Sequence, residues 1–334
     1  MNRILRITVS VALLGWLAWR TDWNQIGHAF ASLRITLWVA AVTLYLLTQA
    51  LSALRWRLLA QPLGFYRSFG QFISYYFIGM YFNLFLPTSV GGDVVRAWYL
   101  DDRSGQRLSA FLSVFIDRFS GLLVLLALAC VAACFCPVEL PPWVFRSVWI
   151  TAGCAGCALM ILPAAAQTLS AMRATGAIGR RACHLALSLS QATRLFMARP
   201  RLLLVTTLLS VGVQAANVIV VWLVGRALET DVPASYYGIC VPMITLLTLV
   251  PVSLNGMGVR EGGMVLFLAP LGIGQATAVS LAFLWFCVFT VASLCGGAVY
   301  LLGSFSLRPE EQPDHGSVRG DSDQGRTRQS RAAA

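Results

Sequence analysis

The chain of 334 residues contains no lysine, so all 25 of its basic residues are arginines. Schiff-base lysine chemistry and a phosphate loop ending in GK[ST] are thereby excluded. Charge of either sign is scarce, at 12 % of residues, about half the ~25 % of an ordinary soluble domain. Histidine is nearly absent: His28, His184 and His315 lie far apart and offer no ligand spacing for a metal. The nine cysteines sit mostly in apolar segments. Cys154-Ala-Gly-Cys157 lies inside an unbroken one, without a second pair or a βαβ setting. These cysteines read as small packing residues. No metal and no cofactor is expected.

What the chain has instead is apolar surface. Hydrophobic residues make up 57 % of it, and the mean hydropathy is +0.71. That is the composition of a polytopic, all-α membrane protein. Its net charge of +11 then reports topology, not nucleic-acid binding. Arg3 and Arg6 precede a short apolar run, Ile7–Trp19, with Trp16, Trp19 and Trp23 as interfacial anchors, and no A-x-A cleavage site follows. It reads as an uncleaved first span. A second span, Ile35–Leu54, ends in Arg55-Trp56-Arg57, a basic-aromatic edge suited to lipid headgroups. Ser68–Leu86 is apolar and aromatic. Asp93–Asp102 reads as a short helix capped by Asp93, with Val94, Val95, Trp98 and Tyr99 as its apolar face. Further spans are Leu108–Cys136, Trp143–Ala166, Leu202–Val224 and Ala276–Phe305. Met172–Arg201 is a basic amphipathic stretch without acidic residues. Residues 308–334 read as a disordered cytoplasmic tail following a membrane domain of residues 1–307.

Two stretches stand out as copies of each other. Pro87-Thr-Ser89-Val-Gly-Gly92-Asp93-Val-Val-Arg96 and Pro251-Val-Ser253-Leu-Asn-Gly256-Met-Gly-Val-Arg260 both read P-x-S-x-x-G-x-x-x-R, and Glu261 follows the second. Each breaks an apolar segment with residues that cannot continue a helix. Placing Arg3, Arg6, Arg55, Arg57 and the basic stretch on the cytoplasmic side makes two hairpins that enter the membrane from opposite faces: Ser68–Leu86, which breaks at the first motif and returns through the Asp93 helix, and Tyr236–Leu271. Only Arg20, Arg34, Arg146 and Arg226 are then outside, and Arg118 and Arg260 lie within membrane segments. The result is about six full transmembrane helices plus two re-entrant hairpins in an inverted repeat, the signature of a transporter with its site near the midplane.

The chemistry expected of the motifs is anion binding. A helix restarting after a break presents free N–H groups and a positive dipole end. An arginine just beyond adds a bidentate donor for phosphate. Asp93 and Glu261 would hold Arg96 and Arg260 when no substrate is present. Asp117-Arg118 reads either as part of this site or as an internal ion pair. Gln49, Asn83, Gln214 and Asn217 read as interhelical hydrogen-bonding residues.

At these residues the chain resembles the transmembrane flippase-like region of the lysylphosphatidylglycerol synthases (the multiple peptide resistance factor family), in its free-standing form. Asn83-Leu-Phe-Leu-Pro87, Gly91-Gly92-Asp93-Val-Val-Arg96, Asp117-Arg118 and Ser253-Leu-Asn-Gly256-Met-Gly258-Val-Arg260-Glu261-Gly262 carry the likeness. Asn255 departs from it, standing where glycine is expected. The resemblance implies movement of an anionic or lipid-linked headgroup between leaflets of a bacterial inner membrane, with both termini cytoplasmic. It does not imply aminoacyl transfer, so no enzyme activity is expected. Substrate-contacting candidates are Arg96, Arg260, Asp93, Glu261, Ser89, Ser253, Gly92, Gly256, Asp117 and Arg118. The partner is a phospholipid or a polyprenyl-linked lipid and not nucleic acid. A homo-oligomer or a lipid-modifying enzyme is left open as protein partner. Two alternatives remain: an intramembrane enzyme such as a polyprenyl-linked glycosyl transferase, and an accessory subunit of a lipid-modifying complex.

Overall fold

A computed structural model describes residues 15, 27, 31–86, 91–101, 106–135, 141–171, 196, 198–249, 253 and 255–303. The expected first span, Ser89, most of the basic stretch and the tail with its boundary at 307/308 lie outside these. Among the described residues the regular structure is entirely helical: α1 Ile35–Ala60, α2 Phe69–Phe85, α3 Gly91–Leu100, α4 Arg107–Phe135, α5 Pro142–Ala171, α6 Pro200–Ala227, α7 Ala234–Leu249, α8 Val259–Leu268 and α9 Gln275–Leu302, with single 3-10 turns after α1 and α8.

Four helices, α1, α4, α6 and α9, are long and apolar enough to cross a membrane. At 1.5 Å per residue, a 28-residue helix such as α6 reaches about 42 Å, beyond the ~30 Å hydrocarbon core. The 17 residues of α2 and 16 of α7 fall short of it. Outward faces are apolar: on α6, Leu204 and Leu208 are exposed, while Thr206 and Ser210 turn inward. That inversion of the soluble pattern is what lipid selects, because a polar group facing hydrocarbon has no partner.

The two halves repeat one plan. A long helix, a hairpin of two short helices and a second long helix run as α1, α2–α3, α4 and again as α6, α7–α8, α9. Packing follows a pseudo-twofold. Helix α1 packs on α6, and α2 on α9 as α7 packs on α4. The other pairs, α1 with α2, α1 with α4 and α4 with α6, recur as α6 with α7, α6 with α9 and α9 with α1. Helix α5 stands outside the scheme and leans on α4.

The hairpins open at opposite ends. Gly64, before the first hairpin, lies beside Gln106, after it, so the chain returns to where it left, at the N-terminal end of α4. The second hairpin is closed at its mouth by the Tyr236 hydroxyl, which donates to the Phe267 carbonyl. That mouth lies by Trp143 at the start of α5 and by Ala132 near the end of α4. Arg34 N–H donates to the Ala227 carbonyl, and Arg34 and Arg226 pair with Glu229 and Asp231 at a shared end of the bundle.

Close approach inside the first hairpin depends on glycine. A Cβ on Gly92 would fall 1.9 Å from the Gly79 carbonyl oxygen, so only hydrogen fits where α3 folds back on α2.

The short helix α3 corrects the expected amphipathic reading. It begins at Gly91, and the Gly92 N–H is accepted by Asn83 Oδ1 at 2.7 Å, so Asp93 is not its cap. Its buried face carries Arg96, Ala97, Tyr99 and Leu100, while Val94 and Trp98 are exposed. The apolar side chains that a soluble helix would bury face outward here, and the arginine faces in.

Candidate functional site

The first hairpin is held by a chain of alternating charges. Asp117, 1 % exposed, lies on α4. Its Oδ1 accepts from Arg55 Nε at 2.9 Å and its Oδ2 from Arg96 Nη2 at 3.3 Å. Arg96 also reaches Asp93 Oδ1 at 3.4 Å. Asp93 in turn accepts a bidentate grip from Arg118, with contacts of 2.9–3.2 Å. The pattern follows from helix geometry. Asp117 and Arg118 are adjacent on α4 and therefore point about 100° apart, so each reaches a different neighbour. The expected pair between them is not what forms. Nor does Arg96 use Asp101, which binds Arg107 at 3.6 Å.

Arg96 is further enclosed by aromatic faces. Its guanidinium carbon lies 4.2 Å from the ring centroids of both Trp56 and Tyr76. The Trp56 indole N–H donates to Ser113 Oγ at 3.1 Å, which fixes that ring. Arg55 Nη1 donates to Ser210 Oγ at 3.0 Å, joining α1 to α6. Beside it, Gln214 Nε2 donates to the Gly121 carbonyl at 2.9 Å. The sequence reading of Arg55-Trp56 as a surface edge is thus corrected: Arg55 is 4 % and Trp56 0 % exposed. No local signal distinguishes a buried Arg-Trp from an interfacial one. Only Asp117, 62 positions away, makes the difference.

The second hairpin is built otherwise. Counting from the helix starts, Trp285 and Phe286 on α9 hold the positions that Asp117 and Arg118 hold on α4. Where Arg96 meets a carboxylate, Arg260 meets rings: its guanidinium carbon is 4.8 Å from the Phe286 centroid and 5.8 Å from that of Trp285. Arg260 Nη2 donates to the Asn255 carbonyl at 3.0 Å. Glu261 does not hold it. That carboxylate turns back to accept from the Gly258 N–H at 2.6 Å. Asn255, Gly256 and Gly258 all have positive φ, at 48°, 76° and 82°, which makes the tight reversal ahead of α8.

Both helix restarts are therefore capped from within, by Asn83 and by Glu261. A carboxylate already sits at the α8 N-terminus, and it repels a second anion there. Asn83 and Glu261 thus each occupy one of the N–H groups that the sequence leaves open at the two restarts.

The halves meet where α1 packs on α6 and α9, with Tyr45 of α1 partly buried against the shared apolar core. The Arg118 side chain is 51 % exposed although the Asp93 carboxylate beside it is only 13 % exposed. Arg118 thus lines the open side of the cluster. Of the residues singled out in the sequence, Arg96, Asp93, Asp117, Arg118 and Gly92 gather at the first hairpin. Arg260, Glu261, Ser253 and Gly256 gather at the second. Arg55, Trp56, Trp285 and Phe286 join them from long helices that carry no motif, and Tyr76 from α2 inside the first hairpin.

The fold and this site define a helical membrane protein of two matching halves, each with a short-helix hairpin that carries a buried arginine. The chain belongs to the lysylphosphatidylglycerol synthase TM region family, whose model matches residues 3–297. No curated protein matches it. Membership makes it a multi-pass membrane protein of lipid modification or transport.

Proposed function

We propose that the protein moves an anionic or lipid-linked headgroup between the leaflets of a bacterial inner membrane, with the acyl or prenyl chains left in the bilayer. It does so without making or breaking a covalent bond. One observation carries the reading: two matching hairpins that open at opposite ends of the bundle each carry a buried arginine, Arg96 and Arg260. A site approached from both ends by matching halves suits alternating access by rocking of one half against the other. In this reading α5 and the first apolar run complete six spans, the hairpins are re-entrant, and both termini are cytoplasmic.

The test is translocation in proteoliposomes of fluorescent phosphatidylglycerol, its lysyl derivative and a polyprenyl phosphate, by the wild type and by Arg260→Gln. Transport of one lipid by the wild type, and its loss in the variant, is the expected result. Equal rates in both, or no transport of any lipid by the wild type, would overturn the proposal.

A further inference from the structure

The charges of the first hairpin are shared in a way that lets the hairpin leave α4 and return. Two knit parts meet there. One is the hairpin itself. Asn83 of α2 accepts from the Gly92 N–H of α3 at 2.7 Å, the Tyr75 and Tyr99 rings stack at 5.6 Å, and Gly92 lies hard against the Gly79 carbonyl. The other is a frame of α1 and α4. Arg55 donates to Asp117, the Trp56 indole donates to Ser113, and α6 braces both helices through Ser210 and Gln214. Two ion pairs of opposite polarity join hairpin to frame: Asp93 of α3 meets Arg118 of α4, and Arg96 of α3 meets Asp117 of α4.

Three arginines thus serve two carboxylates. Each carboxylate has a short contact of its own, Asp117 with Arg55 at 2.9 Å and Asp93 with Arg118 at 2.9 Å. Arg96 stands between them at 3.3 and 3.4 Å, longer than the ~2.7–2.9 Å of a tight charge-assisted bond. Its Nε has no hydrogen-bond partner among the described residues. If α3 parts from α4, Asp117 keeps Arg55, and Arg96 keeps Asp93 on its own helix. Tyr76 leaves with the hairpin and Trp56 stays with the frame, so Arg96 retains one aromatic face. Arg118 alone loses its carboxylate. It is also the arginine whose side chain is 51 % exposed, where an unpaired charge costs least. A purely structural brace has no need to leave both carboxylates paired on either side of a break. We propose that Asp93 and Arg118 form a latch and that Arg96 is a transferable cation. The α2–α3 hairpin swings off α4 by breaking the exposed pair, and Arg96 passes from between two carboxylates to Asp93 alone. This deepens the translocation reading by naming a part that moves, and its test uses no transport.

The test is a distance measurement by pulsed electron spin resonance on the full-length protein in lipid nanodiscs. Nitroxide labels are placed on a cysteine-free background at Val94→Cys on α3 and Val131→Cys on α4, both exposed positions. A control pair joins Val131→Cys to Leu47→Cys, exposed on α1, so that both of its labels lie on the frame. One principal distance is expected between α3 and α4 when the latch residues are intact. Arg118→Gln and Asp93→Asn should each make a second, longer distance predominate, by at least the several ångströms that take Asp93 out of ion-pair reach. Arg118→Lys, which keeps the charge, should restore the first distance. The control distance should be the same throughout. An unchanged α3–α4 distance in both Arg118→Gln and Asp93→Asn would overturn the proposal. So would an equal change in the control pair, which marks general loosening of the bundle. Shifted distances in a protein that translocates no lipid would leave the latch standing and refute the transport reading alone.

Discussion

Replacing Asp117 by asparagine should unlock the first hairpin, and the size of the effect follows from its contacts. The substitution keeps the volume and removes the charge at a site 1 % exposed. Two charge-assisted hydrogen bonds, from Arg55 at 2.9 Å and Arg96 at 3.3 Å, lose their anion. Each is worth about 1.5–3 kcal/mol, and breaking a buried ion pair from one side costs about 3–5 kcal/mol, because the cation stays behind. Partial compensation survives: Arg55 keeps Ser210 and Arg96 keeps Asp93 with two aromatic faces. A net loss of about 3–5 kcal/mol remains the expectation. With an unfolding entropy of about 2.1 cal/mol/K per residue, this corresponds to a fall in Tm of roughly 4–8 °C. The assay is thermal unfolding of the detergent-solubilised protein, followed by fluorescence or by loss of monodispersity. The double variant with Arg55→Met should be less destabilised than the sum of the two single changes, since removing both partners leaves less uncompensated charge. A Tm change below about 2 °C for Asp117→Asn, or strict additivity with Arg55→Met, would refute the claim that these charges depend on one another.

The opposite outcome is expected for Arg260→Gln. Removing a buried cation that has no carboxylate partner among the described residues relieves a cost of about 3 kcal/mol, against ring contacts worth about 0.5–2 kcal/mol. Its Tm should hold or rise while translocation is lost, and a fall like that of Asp117→Asn would contradict the asymmetry. Gly92→Ala should prevent correct folding, because its Cβ meets the Gly79 carbonyl. Gly262→Ala, with nothing within 4 Å of its Cβ, should express and run like wild type by size-exclusion chromatography. Single cysteines at Gly64 and Gln106 on a cysteine-free background should react with an impermeant maleimide from one side of the membrane, and one at Trp143 from the other. Labelling of all three from the same side would refute the opposed hairpins.

Much of the architecture is legible in the residues themselves. Hydrophobic runs longer than a soluble domain tolerates mark α1, α4, α6 and α9, because the bilayer imposes length and composition on anything that crosses it. The duplicated P-x-S-x-x-G-x-x-x-R marks both breaks, because proline and glycine act locally on the backbone. Asn255, Gly256 and Gly258 indeed take the positive φ that a break demands. These are properties of single residues and near neighbours, and a linear chain displays them.

Tertiary structure alone decided how the charges are shared. Asp93 reads as a helix cap and is in fact the acceptor of Arg118. Glu261 reads as the counter-ion of Arg260 and instead caps its own helix. Arg55 and Trp56 read as an interfacial edge and lie at the centre, held by Asp117 and Ser210. For Asp93 and for Arg55 the physical reason is the same. A side chain chooses its partner by distance in space, and in a bundle with a buried polar cluster that partner comes from another helix, 25 positions away for Asp93 and Arg118 and 155 for Arg55 and Ser210, whereas Glu261 takes the N–H three residues before it. The inequality of the two halves is equally hidden, since near-identical motifs meet a carboxylate on α4 and two aromatic rings on α9. The repeat is written in the sequence. Which copy ties its arginine to carboxylates, and which sets it against aromatic rings, depends on the helix that each one packs against.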